Sequence, residues 1–339
     1  MSFNYKWSIK DYPKKNGYKV FSTFACGGGS TMGYKLAGYE MLGANDVDPK
    51  MAKIYRHNHN PKFYYLEDIR KFTKRDDIPE ELFNLDILDG SPPCTTFSTA
   101  GKREKSWGET RKYKEGDFSQ TLDDLYFAYI RLVKKLQPKV FVSENVTGIA
   151  KGNAIIYLKN IIKGFNEAGY NVQVFQLNAA TMGVPQKRER VFVIGHRKDL
   201  DLPKLKLEFD EKPIRFGEFR SEFGEEPTPH VKKLLAYSTK KDKDLCDISE
   251  REFNRISGFN AKIVSDDEIY VTIIATGDNY RQADKQKCSA MDYILAGTFP
   301  TDYDFLGLNE KYVIGMSVPP IMVAQIASQI KKQWLDVLN

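Results

Sequence analysis

The feature that restricts this chain most is an alternation. From about residue 18 to about residue 200, short apolar runs trade places with segments whose apolar residues fall at helical spacing. Residues 18–24 (YKVFSTF), 41–48 (MLGANDVD), 82–90 (LFNLDILDG), 139–146 (KVFVSENV), 171–179 (NVQVFQLNA) and 190–197 (RVFVIGHR) read as strands. Residues 31–39 (TMGYKLAGY), 51–59 (MAKIYRHNH), 121–136 (TLDDLYFAYIRLVKKL) and 154–170 (AIIYLKNIIKGFNEAGY) read as helices, the third stopped by Pro138 and the fourth by Gly169. Strands separated by helices pair in parallel by crossing over a face of the sheet, and such a sheet is covered on both sides. The pattern therefore predicts an α/β fold with a mostly parallel sheet and helices on both faces.

After His196 the alternation stops. Residues 201–285 carry many charges that nearly cancel, in irregular segments such as 210–230 (DEKPIRFGEFRSEFGEEPTPH), and are expected to form a smaller second domain. Residues 319–338 (PPIMVAQIASQIKKQWLDVL) have the pattern of an amphipathic helix, expected to dock back on the first domain. A chain of 339 residues, 41% of them hydrophobic, can bury a large core and a smaller one.

No apolar run approaches the roughly 20 residues of a membrane span, and the first 19 residues lack the features of a secretory signal, so no membrane partner is expected. Cys26, Cys94, Cys246 and Cys288 are far apart and make no C-x-x-C pair. They read as reduced cytoplasmic thiols, not as a disulfide or zinc framework. His57 and His59 have no third ligand nearby in sequence, and no metal site is expected. The net charge of +6 is compatible with a nucleic-acid partner, but ordinary enzymes are often as basic.

Three segments carry candidate chemistry. FACGGGS at 24–30 follows a strand and opens a helix; its small residues let backbone approach a ligand, and free amides at a helix start hold a carboxylate or phosphate. Asp46 and Asp48 end the next strand, where an acid grips ribose hydroxyls. Asp68 is a candidate contact for an adenine amino group, or an ordinary surface acid. These residues alone do not separate a nicotinamide cofactor from S-adenosylmethionine. GSPPC at 90–94 leaves a strand as a loop stiffened by two prolines and delivers Cys94, a nucleophile once its thiolate forms. SENV at 143–146 and QKRER at 186–190 add an acid and two bases.

In this order and spacing, and with GMSVPP at 315–320, the chain resembles the cytosine carbon-5 DNA methyltransferases of bacteria and phages. The resemblance implies a Rossmann-like fold, S-adenosylmethionine as cofactor and double-stranded DNA as substrate. It makes Cys94 the thiolate that adds to carbon 6 of cytosine, so that carbon 5 becomes enamine-like and accepts a methyl group. Glu144 would hold the ring nitrogen and exocyclic amine, Arg190 the carbonyl oxygen, and Arg188 the loop or a phosphate. Phe24, Ala25, Cys26, Gly27, Gly28, Gly29, Asp46, Val47, Asp68, Ile69, Pro92 and Ser317 would build the cofactor site. Ser98, Lys102, Arg103, Arg111 and Gln186 would contact DNA. The target base must leave the duplex to reach the thiol. The segment 94–121, where Lys102, Arg103, Lys105, Arg111, Lys112 and Lys114 interleave with Trp107 and Tyr113, would be the lid.

The resemblance divides the chain into a catalytic and cofactor-binding domain (1–200, completed by 312–339), a target-recognition domain (201–285) and a hinge (286–311). A monomer is expected, and a cognate restriction endonuclease is left open as a partner. Cys26 stands where the family usually has glycine, and Met316 where it has asparagine; the arginine-rich segment usual before the FP pair is replaced by CSAMDYILAGTFP at 288–300. One expectation from these departures is a pocket for an altered sulfonium such as carboxy-S-adenosylmethionine. Three other readings compete. A transfer-RNA cytosine methyltransferase would show a C-F-T tripeptide, which the chain lacks. A silent DNA-binding relative need not keep Cys94, Glu144 and Arg190. A nicotinamide dehydrogenase would need a placed acid or base for hydride transfer.

Overall fold

Every strand read from the sequence forms, and one more joins them. The computed structural model describes residues 3–93, 110–112, 119–121, 125–152, 154–257 and 261–338, with backbone alone at 110–112 and 119–121. The strands are β1 (Lys19–Thr23), β2 (Glu40–Asp46), β3 (Phe63–Leu66), β4 (Ile87–Gly90), a short antiparallel ladder of β5 (Thr110–Lys112) and β6 (Ser119–Thr121), then β7 (Val140–Val146), β8 (Tyr170–Asn178) and β9 (Glu189–Arg197). The main sheet has seven strands in the order β3-β2-β1-β4-β7-β9-β8. All its pairs are parallel except those of β9, which runs against both β7 and β8. The added strand is β3, whose half-buried FYYL has no alternation to announce it.

Neighbouring residues of the central strands divide between two cores. Val20, Ile87, Val140 and Ile194 pack on one side, with Met32 and Tyr34 of α1 (Gly29–Leu36). Phe21, Leu88, Phe141 and Val193 pack on the other, with α3 (Ile69–Phe72), α4 (Leu125–Leu136) and α5 (Ala154–Glu167). A period of two along each strand thus explains why the runs are apolar throughout. α2 (Pro49–His59) connects β2 to β3, with Asp48 accepting from the amides of Lys50 and Met51 as its cap.

The C-terminal segment packs into the large core through α8 (Ala290–Ala296), α9 (Glu310–Met316) and α10 (Pro320–Ile330). In the order of the chain these follow α6 (Pro229–Ala236) and α7 (Leu245–Phe253). α10 lies against α1 so closely that a β-carbon on Gly33 would come within 2.5 Å of the Pro320 carbonyl oxygen and of Val323. The stretch Glu310–Leu335 is in fact long and apolar enough to cross a membrane, contrary to the reading above, but 78% of its most apolar window is buried in the fold. Ser317, Pro319, Pro320, Gln325, Ser328 and Gln329 break the apolar run along this uncharged stretch. An N-terminal arm ties this region down: the Trp7 indole donates to the Thr298 carbonyl (2.9 Å), and Ser8 and Ile9 donate to Asp302.

Residues 201–285 are less separate and more helical than their charge density implies. Leu205, Leu207, Phe216, Phe219, Tyr270 and Ile273 belong to the main core. α6, α7 and the two-residue strands β10 (Ile263–Val264) and β11 (Tyr280–Arg281) surround a small core of their own, made of Leu234, Leu235, Leu245, Ile248, Ile263 and Tyr280. Arg281 is fully buried and holds Asp292 of α8 through Nε and a terminal nitrogen.

Candidate active site

β1 leads to β2 and β3 on one side, and the chain then returns to β4 on the other side of β1. The loops leaving β1 and β4 diverge there, and such a switch point opens a crevice at the carboxyl ends of the strands. A cleft of about 800 Å³, open solvent included, lies at this place. Phe24 and Cys26 line it from the glycine turn, Asp46, Val47 and Asp48 from β2 and its end, Ile69 from α3, and Met316 from α9. Ser91 and Pro93 of the proline loop line it too, and Asn45, Met51, Glu67 and Tyr312, which the motifs do not single out, complete the lining. Among these described lining residues three are carboxylates and none is lysine or arginine.

Asp46 is the hub of the turn. One carboxylate oxygen accepts from the Cys26 amide (2.7 Å), the other from the amides of Val47 (2.7 Å) and Asp48 (2.9 Å). Burial raises its pKa while those three amides oppose the rise. Phe24 and Cys26 both adopt left-handed backbone, φ 54° and 48°. A non-glycine residue held so costs on the order of 1–2 kcal/mol, so Cys26 replaces glycine under strain. Its sulfur lies 3.7 Å from that of Met51. Burial, then the charge of Asp46, pushes the Cys26 thiol up to about 12, so it is no nucleophile.

The three glycines work differently from the sequence expectation of room for a ligand. Their missing side chains make room for the protein itself. A β-carbon on Gly27 would sit 2.4 Å from Val313, one on Gly28 2.1 Å from the His59 ring, and one on Gly29 2.3 Å from the Val318 carbonyl. Gly28 also needs its φ of 85° to turn the chain into α1, where no side chain caps the helix. Ala25 packs against Ala44 and Tyr55. Ser317 is buried and donates to the Val313 carbonyl (2.8 Å). Pro92 is buried too, its carbonyl accepting from Asn145 (3.0 Å).

Asp68 caps α3 through the Arg70 amide (2.8 Å) and pairs with the Arg70 guanidinium (2.6 Å), while its neighbour Glu67 lines the cleft. A helix start needs the cap, and only one of two adjacent acids can supply it.

Beside the cleft, β7 and β9 run antiparallel with Val146 opposite Arg190. Glu144 and Arg190 are therefore diagonal neighbours on one face, within reach of long side chains. Arg190 Nε lies 2.9 Å from a Glu144 carboxylate oxygen as an ion pair, with both side chains more than four-fifths buried. Another Arg190 nitrogen donates to the Glu189 carbonyl (2.7 Å), and the third makes no bond among the described residues.

The rest of QKRER faces inward. Arg188 is 3% exposed and binds backbone carbonyls, those of Ile273 (3.0 Å), Ser317 (2.9 Å) and Gly315 (3.3 Å), not a phosphate. Gln186 is 1% exposed; its amide donates to the Ala296 carbonyl (3.1 Å) and accepts from the Ile273 amide (3.0 Å), which holds it inside the fold.

Cys94, Ser98, Lys102 and Arg103 lie outside the described residues, and the side chain of Arg111 does too. Asp89, five residues before Cys94, is a buried acid that no motif flagged. Ser22 (2.7 Å) and Tyr34 (3.1 Å) donate to its carboxylate, and burial lifts its pKa to about 7. Among the described residues no group of three potential metal ligands comes together.

The profile of the C-5 cytosine-specific DNA methylases matches residues 18–332. The type II methyltransferase M.NgoPII of Neisseria gonorrhoeae is 31% identical over 350 residues, which cover 94% of this chain and 96% of that protein. M.Sau96I of Staphylococcus aureus, also a type II methyltransferase, is 29% identical over 368 residues, 98% of this chain and 79% of that one. The crystal structure of a prophage-encoded DNA modification methyltransferase from E. coli superposes with a TM-score of 0.67 at 18% identity, over 94% of this chain and 99% of that one.

Proposed function

From the premise that this chain belongs to the C-5 cytosine-specific DNA methylase family, and so methylates carbon 5 of cytosine in DNA, we propose how its residues do so. The observation that carries the reading is the Glu144–Arg190 pair at 2.9 Å beside an acidic cleft at the switch point. The substrate is a cytosine turned out of double-stranded DNA. Glu144 holds its ring nitrogen and exocyclic amine, and the unbonded Arg190 nitrogen takes its carbonyl oxygen. Cys94 bonds to carbon 6 as a thiolate. Carbon 5 then takes the methyl group, loses its proton, and the carbon–sulfur bond breaks to return the thiolate.

The donor that fits the cleft is S-adenosylmethionine, which supplies an electrophilic methyl group on a positively charged sulfur. Asp46, Asp48 and Glu67 suit the ribose hydroxyls and the positive charges of such a molecule. Phe24, Val47 and Ile69 give its base an apolar seat. The uncapped first amides of α1 suit its carboxylate. A second carboxylate would find no cation in the lining, so the acidic cleft argues against carboxy-S-adenosylmethionine despite Cys26 and Met316. The enzyme acts in the cytoplasm, as a monomer, with the small-core region around α6 and α7 reading the target sequence. Similarity to type II methyltransferases supports a role in restriction–modification.

Bisulfite sequencing of a plasmid from cells expressing the protein tests this. Protected cytosines in one sequence context are expected. Cys94→Ala is expected to abolish protection and Glu144→Gln to lower kcat by about 100-fold or more. Protection that survives Cys94→Ala would sink the assignment of the thiol.

A further inference from the structure

The carbonyl of Gly27 meets two buried side chains that reach it from distant parts of the chain. The Tyr303 hydroxyl donates to it at 2.5 Å, and His59 Nε2 lies 3.3 Å away. His59 closes α2, while Tyr303 stands between α8 and α9, 276 residues from Gly27. A carbonyl can only accept, so the ring proton of His59 sits on Nε2. Nδ1 is then bare, and it has no partner among the described residues. Each donor leans on a glycine as well as on the carbonyl. A β-carbon on Gly28 would strike the His59 ring at 2.1 Å, and one on Gly27 would come within 3.4 Å of the Tyr303 hydroxyl. The chain neighbours of the two donors are tied to each other: Asn58 donates to the Asp304 carbonyl (2.8 Å), and the Asp304 amide donates back to Asn58 (3.0 Å). Phe299 and Phe305 pack on the Tyr303 ring, with centroids 5.3 and 4.8 Å away.

The peptide they hold is the softest of the turn. With no β-carbon on either side, the link between Gly27 and Gly28 can turn over at little steric cost. Its amide, that of Gly28, donates to the Ala25 carbonyl (2.8 Å), and its carbonyl takes the two buried donors. Immediately before it Cys26 lines the cleft, and immediately after it α1 begins at Gly29. We propose that Tyr303 and His59 are positioning residues for the methyl donor, because they lock the Gly27–Gly28 peptide in the orientation that joins the wall of the cleft to the first turn of α1. The inference rests on the reading of this cleft as the S-adenosylmethionine site. Neither side chain is among the residues that line it. They act before the donor arrives: a turn that samples a second orientation binds with an affinity reduced by the fraction that stays competent.

The test is the affinity for S-adenosylhomocysteine, measured by calorimetry without DNA, so that no turnover enters. Tyr303→Phe removes one oxygen, and His59→Met fills the place of the ring without a donor. Each is expected to weaken binding by about fivefold or more. His59→Gln keeps an N–H at the end of the side chain and is expected to stay within about twofold of wild type. A role in folding alone would lower Tm and the bound stoichiometry, since unfolded molecules bind nothing, and would leave the dissociation constant of the folded ones as it was. Unchanged affinity in Tyr303→Phe or in His59→Met overturns the proposal, and so does His59→Gln binding as weakly as His59→Met. Should the variants not fold, hydrogen exchange of the donor-free wild type decides: the Gly28 amide must exchange as slowly as those of β1, and fast exchange overturns the lock. A wild type that binds no S-adenosylhomocysteine fails the donor reading, and the clamp with it; a wild type that binds, beside variants that bind equally well, fails the clamp alone.

Discussion

At the scale of single residues, Asp89 and His59 make opposite demands on pH. Asp89 carries a pKa of about 7 in the folded chain because burial outweighs the hydrogen bonds from Ser22 and Tyr34. Its unfolded value is near 3.9. The unfolded chain therefore releases this proton first as pH rises, and the stability that the protonated form contributes is full below about pH 4 and lost by about pH 7, on the order of 4 kcal/mol. His59, wedged between Tyr55 and the Gly27 carbonyl, has its pKa pushed down to about 3 by burial. Its stabilising contribution is present above about pH 6.5 and lost as pH falls. Asp89→Asn removes the first effect without emptying the site. The expected outcome is a higher Tm than wild type at pH 8 and a near-equal one at pH 4, read by thermal unfolding across buffers. A uniform drop at every pH would mean that the hydrogen bonds, not the charge, dominate.

At the scale of elements, the contact of α1 with α10 decides how the glycine turn is held. Gly33 lets the helices approach, and a larger side chain must push against the backbone of Pro320. Gly33→Val is expected to cost about 1–3 kcal/mol, seen as a lower urea midpoint at unchanged slope, and to weaken donor binding because Gly27 and Gly29 lean on the same C-terminal segment. How far such elements were legible in advance differs by cause. The central strands were plain because both faces are buried, which turns Val20–Phe21 and Val140–Phe141 into continuous apolar runs. β3 was silent because it is half-exposed, and α6 and α7 because their apolar residues are few and set among charges. Glu144 and Arg190 were named by two separate motifs, SENV and QKRER, but their pairing across adjacent strands came only from the register of β7 and β9. The inward turn of Gln186 and Arg188 was not readable, since their partners lie 85 to 129 residues away and packing alone brings them there. The glycines were found for an incomplete reason: the sequence marks smallness, not which side of the chain is filled.

At the scale of the molecule, two cores of unequal size set what can fail independently. The large core runs from Trp7 to Leu335 and takes in much of 201–285, so the region after β9 is no free appendage. The small core holds six buried residues and supports only α6, α7 and the short strands β10 and β11. Ile248 is fully buried there, and it touches neither the cleft nor the Glu144–Arg190 pair. Ile248→Ala removes buried methyl groups and is expected to cost about 2–5 kcal/mol, drawn from the stability of the small core. A core of six side chains cannot absorb that loss, so its helices should open locally while the sheet stays folded. If that region reads the DNA, plasmid methylation should then fall by at least an order of magnitude, while S-adenosylhomocysteine binds as tightly as to wild type. Both quantities can be measured on one preparation, by bisulfite sequencing and by calorimetry. Equal losses of the two would show that the cores unfold together, and retained methylation would place sequence reading outside α6 and α7.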